Sequence, residues 1–274
     1  MGICSSQNGK ATKAIAIADR MVTAGDTEFE QAAFSKIAKL TGNCIAVSAG
    51  HALIPNELFQ LTRAKFGGMP TPPITTIVQE LKKNYVTMRM QRAEEQYFRP
   101  LGLSVNYFIE KQRSLESTLV IQLGHQLEQA TLGGRVGCRI LVAGLDMTGA
   151  HIHCIFDPSS SECFDSIGYC AIGSGERHAE NTLIVNDYHI SLQLNKALYL
   201  VYEAKKRAEL APGVGKKYTD ISVISGVRGI EDLTSEQITA LQKVCDKHDI
   251  TEGTCREEMD GLIKELPFEE AKPK

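Results

Sequence analysis

The sequence lacks the features that mark membrane-spanning proteins and secreted, disulfide-bonded proteins. No apolar run approaches the roughly 18 residues that a membrane span needs. No charged segment followed by an apolar one opens the chain, as a secretory signal would. The eight cysteines include no Cys-x-x-Cys pair and most lie in apolar or strand-like surroundings, so we interpret them as reduced core thiols. These absences predict a soluble cytoplasmic protein without a membrane partner.

The sequence also lacks an excess of one sign of charge, and its histidines lack the spacing of metal ligands. The formal net charge is -3, and the 30 Lys and Arg residues are scattered among 33 Asp and Glu residues. No basic stripe is available to displace counterions from a nucleic-acid backbone, so nucleic acid is not an expected partner. His51, His151, His153 and His178 lack nearby ligands at zinc-binding spacing. We therefore expect neither a metal nor a cofactor.

The apolar residues that are present indicate one domain that begins with strands. A chain of 274 residues with 43% hydrophobic content can bury one large core, which predicts a single domain over residues 1–274. Small and branched apolar residues alternate from Lys13 to Asp19, as in a buried strand. A second apolar run extends from Cys44 to Ala49 and stops at Gly50.

Helical spacing dominates the middle of the sequence. Ile54, Leu58 and Leu61 recur at helical intervals until Gly67-Gly68 and a cluster of prolines end the first helix. From Ile74 to about Leu132 the pattern is again helical, and Pro100 and Gly102 divide it in two.

The second half of the sequence returns to strands around one clear helix. Apolar runs at 139–145 and 150–156, separated by Asp-Met-Thr-Gly, predict a hairpin. The segment 168–175 reads as a strand that enters a Gly-Ser-Gly bend. An amphipathic helix over 194–210 precedes a final strand over 218–225. This order of elements predicts the α+β fold class.

Four segments, in this order, resemble the proteasome β-subunit family of N-terminal-nucleophile (Ntn) hydrolases. They are KAIAIADRMVT from Lys13, KIAKLTGNCIAVSAG from Lys36, the stretch from Arg139 that ends in YCAIGSG at Gly175, and LYLVYEAKKRAELAPGVGKKYTDISVIS from Leu198. The resemblance covers about three quarters of the chain. It implies a four-layer αββα sandwich of two antiparallel sheets between helical layers. Helical residues at about 74–135 and a C-terminal segment at about 226–274 would be extensions of that domain.

The resemblance also implies a mechanism and the residues that would carry it. In this family the side chain of the mature N-terminal residue attacks the substrate, and its own α-amine is the general base. An ammonium, a carboxylate that holds it, and backbone amides facing the oxyanion assist the attack. By resemblance these are Lys36, Asp19 and Gly50, with Ser174 orienting the terminal amine. Glu209 is the nearest substitute for the family's second carboxylate.

The family's N-terminal threonine is missing. The chain reads Met1-Gly2-Ile3-Cys4, and Gly2 has no side chain with which to attack. Three interpretations follow: a non-catalytic member that keeps the fold, a chain trimmed until Cys4 or Ser5 is terminal, or a native start other than Met1. The first predicts a scaffold or ring-forming subunit that assembles with copies of itself or a partner. The second predicts a threonine-type-related peptidase or amidase acting on a peptide or amide substrate.

Each predicted site residue also has a purely structural interpretation. Asp19 can end a strand in solvent, Lys36 can be a surface lysine, Gly50 can close a strand and Ser174 can be a turn residue. The first six residues additionally fit an N-myristoylation pattern, in which Gly2 carries one acyl chain and Cys4 a second. A first strand at residues 3–8, as the family has, would compete with that acylation.

Overall fold

The computed structural model describes residues 2–7, 10–24, 27–50, 54–69, 71–132, 137–156 and 159–247. The chain divides into two compact units, Met1–Leu233 and Thr234–Lys274. The described part of the second unit contains one helix, 235–247. The remaining elements belong to the first unit.

The strands of the first unit are short to medium in length and pair antiparallel throughout. They are β1 Gly2–Gln7, β2 Lys10–Asp19, β3 Met21–Ala24, β4 Thr27–Glu30, β5 Ile37–Thr41, β6 Cys44–Gly50, β7 Cys138–Asp146, β8 Gly149–Phe156, β9 Ser160–Cys163, β10 Tyr169–Cys170, β11 Thr219–Ser225 and β12 Gly229–Asp232. One five-stranded sheet has the order β10-β1-β2-β11-β12, a second has the order β5-β6-β7-β8-β9, and β3 pairs with β4 alone.

The α-helices of the first unit lie between these strands along the chain. They are α1 Ile54–Phe66, α2 Ile74–Ala93, α3 Val105–Lys111, α4 Ser117–Leu132, α5 Glu176–Val185 and α6 Leu194–Ala208. Helices together with antiparallel sheets confirm the predicted α+β class.

Alternation along β2 explains why the two sheets pack against each other. Ala14, Ala16 and Ala18 are buried in one cluster with Ile45 of β6 and Leu141 of β7. Because successive strand residues point to opposite faces, Ile15 and Ile17 lie on the other face of β2, where α6 packs. Small residues on the inner face let the sheets approach closely, and the isoleucines are left for the helix.

The second sheet has the same division between its faces. Leu141 and Ala143 of β7 face the first sheet, whereas Ile140 and Val142 pack with buried residues of α1 and α2, among them Leu81. Both faces of β7 are therefore buried, which explains why its sequence is apolar at nearly every position.

The long helical segment is interrupted near Pro100 and Gly102, as the sequence predicted, and a second time between α3 and α4. After Ala93 the chain passes through a π-helical turn, Glu94–Phe98, and a 3-10 turn, Arg99–Leu101. Gly102 ends this run with a φ of 71°. A second break between α3 and α4 was not predicted. Phe98, Val105, Phe108 and Leu123 form a small core of their own there, so α3 and α4 pack as a local helical cluster.

Several short strands were missed by the sequence analysis, and one prediction was too long. The β3–β4 hairpin, β5, β9 and β12 carry charged or polar residues that obscure their alternation. The strand predicted at 169–172, before the Gly-Ser-Gly bend, covers only Tyr169–Cys170, whereas the bend lies where it was predicted, with a φ of 99° at Gly173. At the predicted C-terminal extension, residues up to Asp232 still belong to the first sheet, and the second unit begins at Thr234.

Among the six cysteines whose side chains the structure describes, the interpretation as core thiols holds for five, including Cys245. Cys44, Cys138, Cys154 and Cys170 are buried free thiols, whereas Cys163 is exposed on the edge strand β9. Burial raises the pKa of Cys44 and Cys138, and this disfavours the reactive thiolate.

Candidate functional site

Four of the predicted site residues line one cavity of about 260 Å³. Asp19 comes from the end of β2 and Gly50 from the end of β6. Lys36 immediately precedes β5, and Ser174 lies just before α5. The cavity therefore lies at the C-terminal ends of β2 and β6, and each sheet supplies part of its wall.

An ion pair joins the two charged residues that the resemblance singled out. Lys36 Nζ lies 2.8 Å from Asp19 Oδ1, and their side chains are 20% and 16% exposed. The same oxygen accepts a hydrogen bond of 2.6 Å from the Met21 amide. The Met21 amide thus fixes the carboxylate, which in turn holds the Lys36 ammonium at the cavity.

Two glycines give the cavity wall a backbone course that other residues resist. Gly50 has a φ of 99°, and a Cβ at this position would lie 2.6 Å from the Gly137 carbonyl oxygen. Gly173 also has a φ of 99°, and a Cβ there would lie 3.3 Å from the Ala49 Cβ. The ends of β6 and β10 therefore run close together, and Ser174 is presented at the bend between β10 and α5.

The beginning of β1 lies beside the part of β2 that leads to this cavity, and β1 runs away from the cavity. Gly2 pairs with Ala16 of β2 and with Cys170 of β10. It is buried, and a Cβ at this position would lie 2.9 Å from Leu141 Cδ2. An acyl chain on Gly2, for which the sequence pattern allows, would compete with this pairing.

The structure does not bring Cys4 to the ion pair. Cys4 pairs with Ala14, five residues from Asp19 along β2. At about 3.4 Å per residue, that separation is roughly 17 Å. Gly2 pairs with Ala16, so it lies two residues nearer to Asp19 along β2 than Cys4 does.

Glu209 also lies apart from the ion pair of the cavity. Its carboxylate oxygens bind Lys205 Nζ at 2.5 Å and Lys206 Nζ at 2.7 Å. Glu209 is not among the residues that line the cavity. Its contact with the residues that line the cavity is the ion pair with Lys205.

Lys205 is the site residue that the sequence analysis missed. Its side chain is 5% exposed and lines the cavity together with Lys36. Burial lowers the pKa of Lys205, because desolvation penalises the ammonium more than the contact with Glu209 and the charge of Asp19 favour it. The signal was its spacing: Lys205 is four residues after Val201 and three before Ala208, on the apolar face of α6.

Most of the remaining cavity wall is apolar. The apolar lining comes from both sheets and from the β3–β4 hairpin, with Met21, Val22, Phe34, Val47 and Ile172 among its larger side chains. A ligand that fits this cavity therefore has an apolar part as well as a group that Lys36 or Lys205 can bind.

We expect the Lys36–Asp19 ion pair to stabilise the fold more than a neighbouring pair does. A double-mutant cycle with Lys36→Met and Asp19→Asn should give a coupling of roughly 1–2 kcal/mol, because both side chains are largely shielded from water. Lys39 and Asp232 form the matched control, at 2.7 Å but with side chains 49% and 58% exposed, and should couple by less than about 0.5 kcal/mol. Urea unfolding measures both cycles, and equal couplings would contradict the expectation.

Among the residues that the structure describes, neither a metal centre nor a membrane-spanning helix is found. Among the described residues, no group of three or more His, Cys, Asp or Glu side chains is arranged to hold a metal ion. His151 instead contacts Asp165 through Nδ1 at 2.6 Å and Asp146 through Nε2 at 3.1 Å. In the part of the chain that the structure describes, every helix is too short or too polar to cross a membrane.

Comparison with known proteins does not assign the chain to a family. No model of a protein family matches the chain, and no curated protein matches it either.

Proposed function

We propose that this protein is a proteasome-like subunit of the Ntn-hydrolase superfamily that keeps the family's site but does not cleave. The observation that carries the proposal is the Lys36–Asp19 ion pair in a cavity shared with Gly50 and Ser174. These residues lie far apart in the chain, and the resemblance implied that they would act together. Surface lysines and strand-ending glycines with no common role would have no reason to converge in this way.

The packing of the layers supports the same proposal. The two antiparallel sheets share a buried interface. Helices α1 and α2 cover the second sheet, and α6 packs on β1 and β2 of the first. We interpret this arrangement as the four-layer αββα sandwich of Ntn hydrolases, with α3 and α4 added to one helical layer.

The non-catalytic form of the proposal rests on Gly2. Ntn chemistry needs a side-chain nucleophile on the residue that supplies the basic amine, and the described β1 residue nearest the ion pair, Gly2, has no side chain. Cys4 of β1 carries a thiol, but it pairs with Ala14, which lies roughly 17 Å from Asp19 along β2. The subunit would then serve as a binding or scaffold component that packs against copies of itself or a partner.

A peptidase or amidase is the second candidate, and the intact ion pair favours it. An ammonium held by a carboxylate lowers the barrier to deprotonation of a neighbouring nucleophile. A mature first residue with a hydroxyl or thiol, placed by β1 near Lys36, would complete the site. Such a residue requires an N-terminus other than Gly2.

Intact mass and covalent labelling separate the two candidates. The protein is purified from its native source, its mass is measured, and it is treated with an electrophile that captures N-terminal nucleophiles. If the protein is a scaffold, we expect its mass to correspond to a chain that begins at Met1 or Gly2. Neither the wild type nor the Lys36→Met variant should then form an adduct. An adduct on the first residue that disappears in Lys36→Met would establish the enzyme and reject the scaffold.

A further inference from the structure

Lys205 places a second ammonium in the cavity, and its charge is only partly balanced. Glu209 is its bonded partner at 2.5 Å, but the same carboxylate also binds Lys206 at 2.7 Å. One carboxylate therefore serves two ammonium groups, of which Lys205 is buried and Lys206 is 30% exposed. This cluster carries a net positive charge, and the Lys205 end of it faces the cavity.

The other charges in the cavity wall do not remove this excess. Asp19 is bound to Lys36 at 2.8 Å, and Glu176 is bound to Arg139 at 2.5 Å. Each of these carboxylates has its own cation. Burying an ammonium that shares its carboxylate with a second cation costs free energy of desolvation. A negatively charged ligand beside Lys205 would offset that cost.

We propose that the cavity binds a small ligand that joins an apolar group to a carboxylate, with the carboxylate beside Lys205. The apolar wall formed by Met21, Phe34 and Val47 receives the remainder of the ligand. A volume of about 260 Å³ lies just below the usual range of small-molecule pockets, so the ligand is small. The site goes beyond the proposed function, because occupancy requires neither a nucleophile nor cleavage.

Two sources supply this ligand chemistry: the C-terminus of a peptide and a free short carboxylic acid. N-acetyl-leucine represents the first and 4-methylpentanoate the second. N-acetyl-leucinamide is the uncharged match to N-acetyl-leucine, with the same apolar group. Binding of each compound to the full chain is measured by calorimetry.

We expect N-acetyl-leucine to bind about tenfold more tightly than its amide, as one charge-assisted hydrogen bond allows. In Lys205→Met this preference should disappear, because the side chain keeps most of its length but loses its charge. Lys206→Met is the matched control: it removes a cation from the same carboxylate, but Lys206 is not among the residues that line the cavity. This control should keep the preference for the acid. Tighter binding of 4-methylpentanoate than of N-acetyl-leucine would identify a free acid as the source, and the reverse a peptide C-terminus.

Three results would overturn the proposal: equal affinities for acid and amide, the same loss of preference in Lys206→Met as in Lys205→Met, or no binding of any compound. Circular dichroism checks that each variant is folded, and Lys205→Gln replaces Lys205→Met if the latter fails to fold. The readout is binding of unreactive compounds. Failure here would therefore leave the mass and labelling experiment unaffected, and failure of the proposed scaffold role would leave this result unaffected.

Discussion

The Gly144→Ala substitution is expected to lower the free energy of unfolding by about 3 kcal/mol, at the upper end of overpacking effects. Gly144 lies in β7, opposite Cys44 of β6. A Cβ added there would lie 2.8 Å from the Asn43 carbonyl oxygen and 3.2 Å from the Cys44 Cα, and would collide with Ile74 Cδ1. Two of these three neighbours are backbone atoms, one in the turn before β6 and one at the start of β6, so the methyl group cannot be accommodated by a change of rotamer alone.

Gly42→Ala is the matched control, because a Cβ at Gly42 meets nothing within 4 Å. We expect this variant to lie within about 0.5 kcal/mol of the wild type. Urea unfolding followed by circular dichroism measures both variants. If Gly144→Ala were as stable as Gly42→Ala, α2 would not pack as closely on β7 as described, and the helical layer on the second sheet would have to be revised.

The Asp146→Asn substitution should cost about 2 kcal/mol at neutral pH, the free energy that corresponds to the shifted pKa of this carboxylate. Asp146 Oδ2 accepts a hydrogen bond of 3.0 Å from the Ile74 amide at the start of α2, and Oδ1 accepts one of 2.8 Å from the Thr148 amide. Partial burial alone would raise the pKa of Asp146, but the hydrogen bonds from Thr148 and Ile74 and the nearby His151 lower it to about 2.

The direction of the pH dependence follows from that shift. Because the pKa of Asp146 in the folded protein lies below its ordinary value of 3.8, the contribution to stability is fully present above pH 3.8. It is lost as the pH falls toward 2. The difference in unfolding free energy between wild type and Asp146→Asn should thus be constant from neutral pH down to about pH 5 and should shrink below about pH 4.

Asp187→Asn provides the control for this titration, because Asp187 is exposed and the exchange removes the same charge. Its effect should remain within about 0.5 kcal/mol at every pH. A penalty for Asp146→Asn that persisted unchanged at pH 2 would mean that lost shape or packing, rather than lost charge, causes the destabilisation.

Elements with a strong local pattern were predictable from the sequence. β2, the β7–β8 hairpin and α6 have alternation or helical spacing that their burial then reproduces. β3, β4, β5 and β12 were not predicted, because strands of four or five residues with polar or charged side chains among them carry little periodicity. Such strands form because a neighbouring strand supplies their hydrogen-bond partners, and the local sequence does not reveal that neighbour.

The candidate site divides in the same way. The sequence by itself determined which residue types were available: a strand-ending carboxylate at Asp19, an ammonium at Lys36, glycines that permit sharp bends, and no nucleophilic side chain at Gly2. Only the tertiary structure decided that Asp19 and Lys36 are in contact and that Lys205 joins their cavity while Cys4 is held in register with Ala14. The physical reason is that local periodicity reports which face of an element is apolar. The register between strands and the docking of α6 depend on packing between residues distant in the chain, and these decide which charges meet.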